Sequence, residues 1–493
     1  MRPVALLSLL LLLCAHPALA EPPATRARLL LTLADSPVSL RAQLLAYADS
    51  AADAGDHVGA GEALGYAATS FQREGRLDSA IVCHRRAFDL LGSDEPLLAL
   101  ADQLLLRHGA GDAGEAIRLL STALANSEQA APPALVGRIA WARFLQGKPD
   151  TAAALFATVE RALLPGTEWR FRLARVALAR KEYRRAVELL LPVAIRSRGT
   201  DDEVIDMLEQ AGKELGMAPR LQAEVLRKVT ERDRPEAELA TALHGRLLAL
   251  TASDGFPLGG LLVLAPRATR RAPALLAVVL LAPGDTLASG DSLALALRRH
   301  GVTTLLLYPR GHGASVNSSC PSPDAWFDRE AALQARIARD VGDAVRALRR
   351  MIPVDSTRYV VAGAGVSVTM AVEAAALDPR VKALLLVSPA PAPVDRGTTR
   401  ARLAQLSMPV FFQIAPDDFE AASAITDVLY QAGDRSASRV AESATSGQGL
   451  AQFRHDPALA RRFLAWLDAT LRPAATPPAR RAAPRATPRA PRR

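Results

Sequence analysis

Residues 359–377, "YVVAGAGVSVTMAVEAAAL", read as a buried strand entering a small-residue helix through Gly363-Ala364-Gly365-Val366-Ser367. A strand-to-helix turn of the form G-x-S-x-G presents a serine hydroxyl at a sharp, exposed corner, with small neighbours on either side to make room for attack on a carbonyl. The hydroxyl here comes two residues late. Ser367 falls in the first turn of the helix, about 200° around its axis from Gly365, and reads as a packing residue. A serine nucleophile also needs a base. Of the histidines in the C-terminal half, His455 stands just before Asp456-Pro457, a helix-start signal, and His312 lies in a glycine loop. His244 and His300 flank a domain start and a helix end. No two of them have metal-ligand spacing, so neither a metal site nor a cofactor is expected.

The elements that would position such groups fall into four stretches of the 493 residues. Residues 1–20 have the form of a secretory signal: Arg2, an apolar run from Val4 to Cys14, and the small-x-small Ala18-Leu19-Ala20. The expected mature protein is exported, periplasmic or secreted, and soluble. Cys83 and Cys320 then remain, too few and too far apart for a disulfide framework. The net charge of +9 is concentrated at the other end. Residues 472–493 hold seven arginines and no acid among Pro and Ala, which leaves the rest near balance. Such a tail stays unfolded and could meet an anionic surface. The balance elsewhere excludes a nucleic-acid-binding domain.

Residues 28–235 are patterned as helix after helix. Ala80, Ala116, Ala152 and Ala186 recur at intervals of 36, 36 and 34 residues. Gly75, Gly111 and Gly147 precede the first three by five residues, where a helix would end and turn. Ala68, Ala140 and Ala174 lie twelve residues before Ala80, Ala152 and Ala186, which allows close approach of paired helices. The stretch resembles the tetratricopeptide repeat, although most of that family's aromatic positions are lost. The resemblance implies a solenoid whose concave face holds a protein or peptide partner.

Between residues 244 and 471 the period changes. "GRLLALTASDGFPLGGLLVLAP" reads as a hairpin turning at Asp254-Gly255, and "ALLAVVLLAPGD" and "VTTLLLYPRGHGAS" as buried strands with helix "SLALALRRHG" between them. Alternation of this kind predicts a mostly parallel sheet with helices on both faces.

This half resembles the α/β-hydrolase superfamily almost end to end. Its landmarks follow in order: the "SDGFPLGG" hairpin, "VVLLAPGD", "YPRGHGAS", the glycine turn, "MPVFFQIAPDD" and "ATSGQGLAQFRHDPALARRFLAWL". The resemblance places Gly365 at the nucleophile position and Asp418 at the acid. It places Gln448, between Gly447 and Gly449, at the histidine. Glycine has no attacking atom, and glutamine cannot take up a proton near neutral pH. Two of three triad members are therefore absent, and they are the two that do covalent and proton-transfer work. The oxyanion-hole-like donors would be the backbone at Gly284 and Val366. The expected protein is a helical array followed by a non-catalytic hydrolase-like domain, acting in binding or scaffolding in the cell envelope, with a cleft able to hold a small ligand. The enzymatic alternative is a serine esterase or peptidase with the relocated set Ser367, Asp418 and His455.

Overall fold

The computed structural model describes residues 23–126, 132–164, 166–418 and 420–471. The leader read at 1–20 and the arginine-rich tail at 472–493 lie outside them.

The N-terminal part is built from helices α1 (Pro23–Leu33), α2 (Pro37–Asp53), α3 (His57–Gln72), α4 (Leu77–Leu91), α5 (Asp94–Arg107), α6 (Asp112–Asn126), α7 (Pro133–Leu145), α8 (Pro149–Leu163), α9 (Thr167–Ala179), α10 (Tyr183–Arg196), α11 (Asp202–Glu214) and α12 (Ala218–Ala242). Consecutive helices pack as hairpins. The periodic alanines 80, 116, 152 and 186 are fully buried, as are Ala68, Ala140 and Ala174. Gly75, Gly111 and Gly147 turn the chain with φ of 76°, 88° and 75°, the left-handed region open to glycine without steric cost. The first helices of successive hairpins also touch one another, α5 on α7, α7 on α9 and α9 on α11. Asp102 accepts a fork from Arg138 across the first of these contacts at 2.7 Å on each oxygen.

The C-terminal part is an eight-stranded sheet in the order β1-β2-β4-β3-β5-β6-β7-β8. Its strands are β1 (Gly245–Thr251), β2 (Pro257–Val263), β3 (Ala274–Leu280), β4 (Thr303–Leu307), β5 (Val354–Ala364), β6 (Val381–Val387), β7 (Val410–Ile414) and β8 (Arg439–Glu442). β2 runs antiparallel to β1 and β4; every other neighbouring pair is parallel. The runs read as buried strands are buried on both faces, because helices cover both. Side chains of α14 (Glu330–Met351) and α15 (Ser367–Leu377) fill one face together with Leu276, Val278 and Leu280. On the other, α13 (Asp291–Arg299) and α19 (Pro457–Leu471) meet Ala277, Val279 and Phe411. The hairpin read at Asp254-Gly255 is present, with Thr251 opposite Pro257.

The two parts interlock. The segment after β6 forms a short turn, Pro393–Asp395, and α16 (Arg396–Ala404). Val394 is buried in the core of the first helical hairpins. Arg73, itself buried, reaches from the end of α3 to Asp395 at 2.8 Å and Glu330 at 3.2 Å. Arg400 donates to the carbonyls of Thr32 and Leu33, each at 2.9 Å. A Cβ on Gly397 would stand 2.0 Å from the Ala34 carbonyl oxygen, so α16 meets the end of α1 at backbone distance.

Candidate functional site

The carboxyl ends of β3, β5, β6 and β7 bring four loops together. The first, Ala282 to Asp285, follows β3; Gly284 has φ of 88° and Asp285 Oδ2 accepts from the Ala282 amide at 3.2 Å. The second is the elbow. Gly365 has φ of 55°, and a Cβ built there would meet only the Ala282 Cβ, at 3.6 Å. The corner therefore has room for a side chain, on a left-handed backbone that would strain one. Val366 follows it, 39% exposed, at the start of α15. Gly284, read with Val366 as an oxyanion-hole-like donor, lies in the loop after β3 just beyond Ala282.

Ser367 is fully buried, and its Oγ donates to the Leu281 carbonyl at 2.7 Å. It pins the start of α15 to the end of β3 and presents no hydroxyl to a substrate. His455 is exposed at the end of the short helix α18 (Gln452–His455), its Nδ1 3.6 Å from where a Cβ of Gly447 would stand. The relocated set is therefore left without an accessible nucleophile.

Asp418 is buried in the turn between β7 and α17 (Glu420–Ala432). Its Oδ2 accepts from the Ala415 amide at 2.8 Å and from Ser388 Oγ at 3.1 Å. Burial raises its pKa, opposed by those two donors, with the neighbouring Asp417 charge adding to the rise. Gln448 is exposed. The side chain that reaches into the acid's surroundings is Gln452, fully buried, whose Nε2 donates to Ser388 Oγ at 3.2 Å and to the Gly447 carbonyl at 2.7 Å. The Gly449 amide donates to the same hydroxyl at 3.0 Å. Ser388 thus gives its one proton to Asp418 and fills both lone pairs, from Gly449 and Gln452. It does so from a left-handed backbone, φ 44°, at the end of β6. Asp417 fastens the same glycine loop through the Gly447 amide, at 2.9 and 3.1 Å.

The chemistry of this arrangement is that of a closed polar knot. A carboxylate, a hydroxyl and an amide bond one another and three backbone groups, the buried Gln452 Oε1 is left without a partner, and no imidazole among the described residues enters. Ser388 and Gln452 were not singled out from sequence. Gln452, lying between the buried Leu450 and Phe453, is an amide in an apolar register, and that was the available signal.

Arg310 of the "RGHG" loop is buried and forks two carboxylates, Asp340 at 2.7 and 2.6 Å and Asp254 at 2.7 and 2.9 Å, with its guanidinium 4.3 Å from the Phe256 ring centre. This ties the strand-four loop to the β1–β2 hairpin and to α14. His312 Nδ1 lies 3.1 Å from the Arg310 carbonyl, and burial lowers its pKa. Both residues hold the loop.

No protein-family model matches the sequence, and no curated protein matches it. Solved structures of hydrolase-fold proteins do. An esterase from Pyrococcus furiosus is 13% identical over 47% of this chain and 94% of its own, with a TM-score of 0.36. An α/β hydrolase from Penicillium sp. sh18 is 14% identical over 46% of this chain and 99% of its own, at 0.36. The esterase domain of a Rhodothermus marinus protein is 15% identical over 46% and 98%, at 0.35.

Proposed function

We propose that this chain is an exported, non-catalytic α/β-hydrolase-like protein that works by binding. In this reading its helical part is a tetratricopeptide-like scaffold for a protein or peptide of the cell envelope. The observation that carries the reading is the elbow. Gly365 keeps the backbone and the free space of a nucleophile position and has no side chain to attack with. The polar knot supports it further: Asp418 accepts from Ser388 and Ala415, and no imidazole among the described residues bonds to it. Backbone donors at an elbow survive the loss of side chains, so the cleft retains the means to hold a carbonyl or carboxylate without turning it over. The arginine-rich tail, in the same reading, meets an anionic surface.

The test is labelling of the mature protein with a fluorophosphonate probe, mapped by peptide mass spectrometry. The wild type is expected to take no label. The introduced serine of a Gly365→Ser, Gln448→His variant is expected to be labelled, or that of a Gly365→Ser, Gln452→His variant, which places the imidazole beside Ser388. Stoichiometric wild-type label on any serine would make the protein a serine hydrolase and end the binding-only reading.

A further inference from the structure

At the other end of β6 from the polar knot, about 20 Å away along the strand, α14, the end of α15, and the connection Asp378 to Arg380 enclose an open groove of about 510 Å³. Its rim carries three guanidinium groups, Arg339, Arg346 and Arg380, and its walls include Ala374 and the half-exposed Leu377. Two acids, Asp343 and Asp378, also line the groove; both are buried and already hydrogen-bonded. Asp343 accepts from Arg346 at 2.7 Å and from the Ser253 amide at 2.6 Å. Asp378 accepts from Tyr359 Oη at 2.9 Å, from the Arg380 amide at 3.0 Å and from the Arg380 guanidinium. Arg339 is exposed and pairs with none of the carboxylates among the described residues. An anion entering the groove would therefore meet the Arg339 guanidinium and the N–H groups of Arg346 and Arg380 that Asp343 and Asp378 leave unused.

A second, independent observation lies in the floor. Gly342 sits in the middle of the 22-residue helix α14, where glycine costs about 1 kcal/mol relative to alanine. Packing gives no reason for it: a Cβ at this position would meet nothing within 4 Å. The helix is weakened where it lines the groove, and what the missing side chain leaves is open space.

We propose that this groove is a binding site for a small organic phosphate, its dianionic head held by Arg339, Arg346 and Arg380 and its apolar remainder laid against Gly342, Ala374 and Leu377. Arg339 offers a whole planar fork to a dianion, and Arg346 and Arg380 add the N–H groups that Asp343 and Asp378 leave unused; the volume lies in the range of small-molecule sites.

The experiment is isothermal titration of the full mature chain with phenyl phosphate, beside phenol and inorganic phosphate. Phenyl phosphate is expected to bind saturably and more tightly than either half alone. Arg339→Ala should weaken it about tenfold or more. Gly342→Leu should abolish it while leaving the fold intact, because the new side chain has only the groove to occupy. Gly342→Ala, which should raise thermal stability, reports that the helix tolerates substitution, and Arg350→Ala, outside the groove on the same helix, should bind as the wild type does. Phenol binding as tightly as phenyl phosphate, no saturable binding at all, or unchanged affinity in both Arg339→Ala and Gly342→Leu would each overturn the assignment.

Discussion

Ser388 holds an unfavourable backbone and a fully committed hydroxyl at the same time. A non-glycine residue in the left-handed region costs about 1–2 kcal/mol, and the hydroxyl's three hydrogen bonds hold it there. Ser388→Ala removes the donor to buried Asp418 and strands the Gly449 amide, and should destabilise the α/β part by about 2–3 kcal/mol. Ser388→Gly loses the same bonds but relieves the backbone, so it should be the milder change by about 1 kcal/mol. Urea unfolding of the two variants checks the ordering; equal stabilities for Ser388→Ala and wild type would mean the knot contributes nothing. Neither Ser388 nor Gln452 could be found by motif, since their roles arise only where loops about sixty residues apart meet. Gly365 directly after β5 and Asp418 in the turn after β7 stand at short offsets from strands that periodicity reveals, whereas Gln448, read into the site, is exposed and Gln452 takes the inward place.

At the scale of elements, the elbow's two glycines do different work. A Cβ on Gly363 would lie 2.7 Å from the Ala371 Cβ and 2.8 Å from the Ser367 carbonyl oxygen, so glycine here lets α15 lie directly on β5. Gly365 faces open space and needs only its positive φ. Gly363→Ala should therefore cost about 1–3 kcal/mol through displacement of α15. Gly365→Ala should cost about 1 kcal/mol, the backbone strain alone. Chemical denaturation that ranks Gly365→Ala as the more damaging would show that the elbow has no room for a side chain and that the reading of a vacated nucleophile position is mistaken. The strands, the hairpin and the helical pattern followed from periodicity because each element carries its own burial pattern. The position of α16 under the first helical hairpins did not, since no local period encodes a contact between residues more than three hundred apart in the chain.

Over the whole molecule, that contact should couple the unfolding of the two parts. Arg73 is buried against Asp395 and Glu330, and removing one partner of a buried ion pair leaves the others uncompensated, at a cost of about 3 kcal/mol. Arg73→Ala should weaken the interface itself, so that calorimetry resolves two transitions where the wild type shows closer coupling. The helical part would then reveal its own pH dependence. His84 is buried in α4, and burial lowers its pKa from the ordinary 6.5 to about 4, with the Asp102 charge opposing. Its Nδ1 has no hydrogen-bond partner. The unfolded chain takes up the proton first, so the contribution of neutral His84 is fully present above pH 6.5 and is lost as pH falls towards 4, a change of about 3 kcal/mol across that window. In the Arg73→Ala background, the helical transition should fall in temperature between pH 6.5 and 4 while a His84→Leu variant shows a flatter profile over the same range. A slope unchanged by His84→Leu would place the acid sensitivity elsewhere in the array.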